Sequence, residues 1–236
     1  MKYQLFRSSS RGKAHHGWLT SRFSFSFADY HNPDRMGFGK LRVLNDDIIA
    51  PGTGFDTHSH NNMEIISIPL TGSLAHRDSE GHIQTIGPGE IQVMSAGSGI
   101  YHSEYNASKL DDANFLQLWI LPESRNVKPR YDQRLFEPEL FENRFYTVVS
   151  GRKDAGHLWI HQDASLALAS VIEQKKIQLP VVHDGYGLHL FVIEGQVVIG
   201  DEKLEKRDAI EIIGPFEGTV HASEMAKLLA ITVPMK

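Results

Sequence analysis

A short histidine-rich stretch reads Gly54-Phe55-Asp56-Thr57-His58-Ser59-His60-Asn61-Asn62-Met63-Glu64. One residue separates its two histidines, and in an extended chain residues i and i+2 point to the same face. The apolar run that follows, from Glu64 to Leu70, has the composition of a buried strand. The pattern therefore predicts two imidazoles that face one cavity of a β structure.

A second pair of donors repeats the same spacing further along the chain. His102 and Glu104 lie in the segment Tyr101–Asn106, and the turn before it contains Gly97 and Gly99, which allow a close approach of the backbone. An isolated His-x-His is best explained as surface residues, but two pairs on opposing strands form a site of three imidazoles and one carboxylate. The sequence predicts a metal site.

The bulk composition narrows the classes of function. Of 236 residues, 41% are hydrophobic and 22% are charged, and the formal net charge is −5, so direct binding of nucleic acid is not expected. There is no cysteine, which excludes disulfides and thiol catalysis. No apolar signal segment or membrane-length run is present, so a cytoplasmic location without membrane insertion is expected.

The chain reads as all-β. Aromatic and polar residues alternate from Arg22 to Phe27, and short strand-like runs with Gly and Pro turns fill residues 62–122. Residues 122–144 read as a connector with one helical turn over 139–143, and strands resume after it. Short strands at this frequency are typical of a sandwich or barrel.

The second half repeats the first. The glycine between two apolar strands at Gly72 has a counterpart at Gly195, and the segment ending at His102 has one at His221. Such a duplication indicates two similar β domains, which we place at residues 1–134 and 135–236.

Other polar residues have simpler interpretations. His15, His16 and His31 are expected on the surface. The pair Asp46-Asp47 suggests a turn more than a cation site. His161 is expected to be a hydrogen-bonded structural residue within a strand.

These residues match the cupin pattern and resemble its pirin branch most closely. The segment Met94–Glu104 reads MSAGSGIYHSE, a characteristic pirin sequence, and His16–Leu19, Phe23–Tyr30 and Leu41–Asp47 are similar to pirins as well. The resemblance is dense over residues 10–135 and thin afterwards. Ser59 departs from the proline usual in pirins, without removing a ligand.

The resemblance implies two tandem cupin (jelly-roll) β-barrels, with a metal in the first. By matching position, the ligands would be His58, His60, His102 and Glu104, while Glu64 would lie outside the ligand set. The metal implied is divalent, Fe(II) first, with Zn, Cu, Ni, Mn or Co as alternatives, since imidazole-rich sites accept several ions.

The repeat also predicts a second domain without metal. Counting back from the matched glycines places Val181 at the position of His58 and His183 at that of His60. His221 then matches His102, and Ser223 matches Glu104. Two imidazoles without a carboxylate would not hold a catalytic metal.

The resemblance implies a quercetin 2,3-dioxygenase, since several bacterial pirins have that activity. A flavonoid-like substrate and O2 would react at the metal, with Glu104 as the catalytic general base for the flavonol hydroxyl. One alternative is a regulatory or redox-sensing metal protein that acts through an unidentified protein partner, as eukaryotic relatives do. The other is a cupin enzyme for a different phenolic or enolizable substrate.

Overall fold

The computed structural model describes residues 2–153 and 156–236. These residues form strands with two short 3-10 helices, Ser8–Ser10 and Pro138–Phe141. In chain order the strands are β1 Lys2–Phe6, β2 Gly12–His15, β3 Leu19–Phe23, β4 Leu41–Ile49, β5 Gly54–His60, β6 Glu64–Thr71, β7 Leu74–Asp78, β8 Ile83–Ile86, β9 Glu90–Ser95, β10 Ile100–Asn106, β11 Ala113–Ile120, β12 Arg130–Leu135, β13 Tyr146–Ser150, β14 Leu158–Trp159, β15 Ser165–Val171, β16 Lys176–Gln178, β17 Tyr186–Glu194, β18 Val197–Ile199, β19 Glu202–Leu204, β20 Ala209–Ile213, β21 Thr219–Ala222 and β22 Ala226–Pro234.

The first half of the chain forms a large sheet and a small one. The seven-stranded sheet has the order β12-β9-β6-β11-β4-β3-β2, and the four-stranded sheet has the order β5-β10-β7-β8. The histidine-rich stretch is β5, which pairs antiparallel with β10 and places His102 opposite His58. The register shifts between His102 and Glu104, so a β-bulge changes the direction of the strand within the predicted site.

The second half also forms one large and one small sheet, but its large sheet includes a strand from the start of the chain. Its sheets have the orders β1-β20-β17-β22-β15-β13-β14 and β16-β21-β18-β19. The first strand of the chain thus lies at the edge of the second large sheet, where Lys2 to Phe6 pair with β20. The division into residues 1–134 and 135–236 stays a prediction, to which the structure adds that β1 crosses to the other half.

The hydrophobic cores explain how the halves are joined. Residues of both seven-stranded sheets, among them Leu118 and Phe191, form one buried cluster between the halves. A second cluster, which includes Leu190 and Val220, fills the interior of the second half. Among the described residues, two smaller clusters lie inside the first half, where polar side chains are also buried.

Three expectations for local structure were wrong. Strand β12, Arg130–Leu135, lies within the residues interpreted as a connector. Asp46 and Asp47 form no turn, because they lie inside β4 and are buried. His161 lies outside any strand, although it does hydrogen-bond as expected. Among the described residues no helix has the length and apolar character needed to cross a membrane.

Candidate metal centre

Three imidazoles meet between β5 and β10. The ring centroids of His58 and His102 are 4.5 Å apart, those of His58 and His60 are 4.8 Å apart, and those of His60 and His102 are 5.0 Å apart. One ring nitrogen from each lies within 4.8 Å of the others. The same-face spacing of β5 and the pairing of His102 with His58 produce this convergence.

Glu104, the predicted carboxylate donor, is buried on the same strand. It belongs to a second group of potential donors with His76 and His102, again within 4.8 Å of one another. Its Oε1 accepts a hydrogen bond from Ser67 Oγ at 3.1 Å, and its Oε2 accepts one from Gln117 Nε2 at 2.6 Å. Its orientation is therefore set by β6 and β11, which face β10 across the interior.

The donor set fits a divalent metal. His102 is only 1% exposed, and neither of its ring nitrogens has a hydrogen-bond partner. A buried polar atom without a partner is costly, and a metal ion removes that cost. His58 Nδ1 lies 2.7 Å from the carbonyl oxygen of Asp56. Since that carbonyl only accepts, Nδ1 carries the proton and Nε2 keeps its lone pair for a metal.

Burial keeps the imidazoles of His60 and His102 neutral. The pKa of His60 is lowered to about 4, first by burial and then by the neighbouring His102 and His58. The pKa of His102 is lowered to about 3, again by burial first and by His58 and His76 next. Both side chains therefore present lone pairs at neutral pH, and those lone pairs can bind a cation without first releasing a proton.

A chain of polar side chains extends from this centre to the surface. His76 Nε2 lies 3.1 Å from Asp78 Oδ2, and the same oxygen lies 2.9 Å from Nδ1 of the half-exposed His82. The ring of Tyr131 packs on both imidazoles, with centroids 4.8 Å from His76 and 5.1 Å from His82. These polar residues were not predicted from the sequence. Yet His76 and Asp78 on β7 have the same one-residue spacing that identified His58 and His60.

Ser67 and Gln117 were missed too. Each is a polar residue flanked on both sides by apolar residues of its strand, which is the signal that would have identified it. Gln117 also accepts a hydrogen bond from Trp119 Nε1 at 3.3 Å. The ring of Trp119 packs edge-on against His60, with centroids 4.8 Å apart. Trp119 thus contacts both Gln117, which hydrogen-bonds the Glu104 carboxylate, and His60 of the histidine cluster.

Glu64 lies outside both groups of potential donors. Its Oε2 accepts a hydrogen bond from Ser95 Oγ at 2.7 Å, and its Oε1 lies 3.3 Å from His161 Nδ1. The carboxylate is buried where β6 meets the second half of the chain. This contact joins the two halves and leaves Glu64 in a structural position.

The positions matched to the metal ligands in the second half were wrong. Val181 and His183 are exposed and follow the end of β16, so neither faces the interior. His221 alternates with the buried Val220 and Ala222 and therefore points away from the interior. The count failed because the loops of the two halves differ in length.

Strand pairing gives the corrected comparison. Leu74 pairs with Asn106 in the first half, and Val197 pairs with Ala222 in the second. Two residues along from the Asn106–Leu74 pair, Glu104 pairs with His76. The same step from the Ala222–Val197 pair leads to Val220 and Ile199, which therefore take the positions of Glu104 and His76. The same treatment of the large sheets places Leu190 at the position of Ser67 and Ala230 at that of Gln117. Apolar side chains thus stand where the first half has polar ones, and a metal-free second domain stays a prediction.

Comparison with known proteins identifies the family. The pirin model matches residues 5–120, and the model of the quercetinase C-terminal cupin domain matches residues 147–233. A quercetin 2,3-dioxygenase of Escherichia coli K12 is 37% identical over 230 residues, which cover 98% of each chain. The chain belongs to the pirin family. Two tandem cupin domains, as predicted, are thereby confirmed for this pirin.

Two further relatives extend the comparison. A protein of Zymomonas mobilis named as a putative quercetin 2,3-dioxygenase is 38% identical to this pirin over 226 residues, with 95% of each chain covered. The crystal structure of the bacterial pirin YhhW from Escherichia coli in complex with nickel(II) is 36% identical and superimposes with a TM-score of 0.93, covering 99% of both chains. A divalent metal is therefore compatible with this fold.

Proposed function

We propose that this pirin is a metal-dependent dioxygenase that opens the heterocyclic ring of a flavonol such as quercetin. The observation that carries the proposal is the cluster of three imidazoles beside a buried carboxylate, with both nitrogens of His102 unpartnered. Relatives of nearly equal length that bear the name quercetin 2,3-dioxygenase support the choice of substrate. A cytoplasmic location belongs to the same proposal.

The residues that would hold the metal are His58, His60, His102 and Glu104. Fe(II) is our first choice, with nickel, bound by the Escherichia coli relative, among the alternatives. When bound, such an ion supplies Lewis-acid stabilisation of a deprotonated flavonol and redox capacity toward O2. Neutral imidazoles and a carboxylate satisfy the ligand preferences of these ions.

Glu104 is assigned the proton transfer. Its carboxylate takes the proton of the flavonol 3-hydroxyl, since among the described residues it is the buried carboxylate grouped with His102 as a potential metal donor. Ser67 and Gln117 each bond one carboxylate oxygen and hold the group against rotation. His102 and Glu104 are buried, whereas His58 and His60 are partly exposed, so a substrate would approach from the side of β5. The flavonolate then reacts with O2, both oxygen atoms enter the opened product, and one ring carbon leaves as carbon monoxide.

The test is turnover of quercetin under air after metal analysis by mass spectrometry. His102→Ala and Glu104→Ala should each lower kcat/KM by at least about a hundredfold. His221→Ala, which removes a histidine of the second half outside its interior, should retain native activity. Native rates in both site variants, or equal rates without O2, would contradict the proposal.

The same assay separates the alternatives. A regulatory or redox-sensing pirin would bind metal stoichiometrically and consume no flavonol. An enzyme for another phenolic or enolizable substrate would consume O2 with that compound only. No contact among residues 2–153 and 156–236 favours either alternative.

A further inference from the structure

Strand β10, which carries His102, lies between β5 and β7 in the small sheet of the first half. His102 pairs with His58 on one side and with Asp78 on the other. Its ring therefore has imidazoles on both flanks, with centroids 4.5 Å from His58 of β5 and 5.4 Å from His76 of β7. The proposed metal lies toward β5, and His76 lies on the opposite flank.

A metal ion satisfies only one of the two ring nitrogens of His102. A neutral imidazole that binds a metal through one nitrogen carries a proton on the other. Both nitrogens of His102 are buried, and neither has a hydrogen-bond partner among the described residues. A buried N–H without an acceptor is costly, and a histidine that binds a metal almost always donates its second N–H to a neighbouring acceptor. His102 therefore needs an acceptor on the side away from the metal.

His76 offers such an acceptor. It is 1% exposed, and its Nε2 lies 3.1 Å from Asp78 Oδ2. Because a carboxylate only accepts, Nε2 carries the proton, and the buried Nδ1, which has no partner, keeps a lone pair. One nitrogen of His76 lies within 4.8 Å of one nitrogen of His102. No hydrogen bond holds the His102 ring in place, so a rotation of that ring can bring the two nitrogens together.

Asp78 fixes the position of the proton on His76. Its Oδ1 accepts hydrogen bonds from the backbone N–H groups of Glu80 and His82, both at 3.0 Å, which leaves Oδ2 to face His76. Burial raises the pKa of Asp78, but the hydrogen bonds from His76 and His82 outweigh burial and hold that pKa below its ordinary value. The ionised carboxylate therefore keeps the proton of His76 on Nε2 and the lone pair on Nδ1.

We propose that His76 is a positioning residue for the metal ligand His102. When one nitrogen of His102 binds the ion, the other donates its proton to His76 Nδ1, and Asp78 keeps that lone pair available. The hydrogen bond fixes the ring of His102 and raises the basicity of its metal-binding nitrogen. This inference rests on the metal binding proposed above and is independent of flavonol turnover.

Asp78→Asn tests the role of the proton on His76, with Zn(II) as the probe ion. The backbone N–H groups of Glu80 and His82 need an oxygen at the place of Oδ1, so the amide nitrogen takes the place of Oδ2 and faces His76 Nε2. Nε2 must then accept, the proton moves to Nδ1, and His102 loses its acceptor. Affinity for Zn(II), measured by competition with a chelator, should fall about 10- to 100-fold.

Two observations on the zinc-loaded protein distinguish positioning from a general loss of structure. Proton–nitrogen correlation spectra should show the proton of His76 on Nε2 in the native chain and on Nδ1 in Asp78→Asn. A crystal structure of the native protein with zinc should place a nitrogen of His102 within about 3.2 Å of His76 Nδ1. The crystal structure requires no substitution, so this test holds even if a variant fails to fold.

Two controls separate this effect from other losses in the same region. Asp132→Asn makes the same chemical change at an exposed carboxylate of β12 and should bind Zn(II) like the native chain. His82→Ala removes the other side chain that bonds Asp78 but leaves the pair of His76 and Asp78, and it should also retain native affinity.

A double variant shows whether Asp78 acts through His76. His76→Phe keeps a ring against Tyr131 but removes the acceptor, and it should weaken Zn(II) binding as much as Asp78→Asn does. The double variant should lose no more than either single variant, because both remove the same hydrogen bond. Native affinity or an unchanged tautomer in Asp78→Asn, equal loss in Asp132→Asn, additive losses, or a nitrogen of His76 bonded to the zinc itself would each overturn this inference alone. A native chain that binds no divalent metal would overturn the proposed function with it.

Discussion

At the scale of single residues, Gln117 controls how Glu104 presents its carboxylate. Its Nε2 donates to Glu104 Oε2 at 2.6 Å within the buried interior. Gln117→Leu should leave that oxygen without a partner and lower metal affinity about 10- to 100-fold, the usual effect of losing such a support. Competition against a chelator measures it. Gln84→Leu, on the exposed face of β8, should match the native affinity, and an equal loss there would disprove the explanation.

Asp47 should make stability depend on pH. Burial raises its pKa from the ordinary value of 3.8 to about 7. Between those values the folded chain holds a proton that the unfolded chain has released, so stability should fall as pH rises, by at most about 1.4 kcal/mol per pH unit. Asp47→Asn, which still accepts from Ser21, should remove this slope.

Urea unfolding at about pH 5 and about pH 8 measures that slope. Asp29→Asn is the matched control, since Asp29 is exposed, and its slope should equal the native one. A slope unchanged in Asp47→Asn would show that this carboxyl is ionised throughout the range.

At the scale of elements, β1 stabilises a sheet that is distant in sequence. Leu5 pairs with Ile210 of β20 and packs against the core of the second half. Leu5→Asp should release the strand and lower the amide hydrogen-exchange protection of β20, while metal binding in the first half stays native. Tyr3→Asp, at a position 45% exposed, is the control. Protection unchanged in Leu5→Asp would mean that β20 does not depend on β1.

The residue pattern of the sequence predicted those features of the fold that depend on short segments. Alternation in β5 was enough to place His58 and His60 on one face, and the glycines at 72 and 195 were enough to suggest a duplication. The pairing of β1 with β20 joins residues at opposite ends of the chain, and no local pattern encodes it. The bulge between His102 and Glu104 could not be recognised from the sequence either, because it arises from the pairing of β10 with β5.

Counting residues across the repeat failed for a related reason. The alternation of inward and outward residues within a strand does not depend on the lengths of the neighbouring loops. The count from Gly195 back to Val181, in contrast, assumes that the loops before the two glycines are equally long. Only the pairing of Val197 with Ala222 shows that Val220 takes the position of Glu104. Polar residues inside strands, such as Ser67, could be recognised from sequence, but their partners could not.

At the scale of the whole molecule, one carboxylate of the first half serves two guanidinium groups at the junction. Asp46 Oδ2 lies 2.8 Å from Arg207 Nε and 3.6 Å from Arg11 Nη1, and the side chains of Asp46, Arg207 and Arg11 are 11%, 14% and 5% exposed. Removing the shared carboxylate leaves two buried cations, whereas removing Arg207 leaves Asp46 beside Arg11. The two substitutions should therefore have unequal costs.

Asp46→Asn should lower the free energy of unfolding by about 3 to 5 kcal/mol, the cost of breaking a buried pair, and Arg207→Met should lower it by less. The double variant should cost less than the sum of the singles, because one buried cation is removed with its carboxylate. Urea unfolding measures all three, since urea adds no ionic screening. Glu205→Gln, in a surface pair with Lys203, should change stability by no more than about 0.5 kcal/mol. Equal costs in the two single variants would show that Arg11 does not share Asp46, and strict additivity would show that the halves are held by their apolar interface alone.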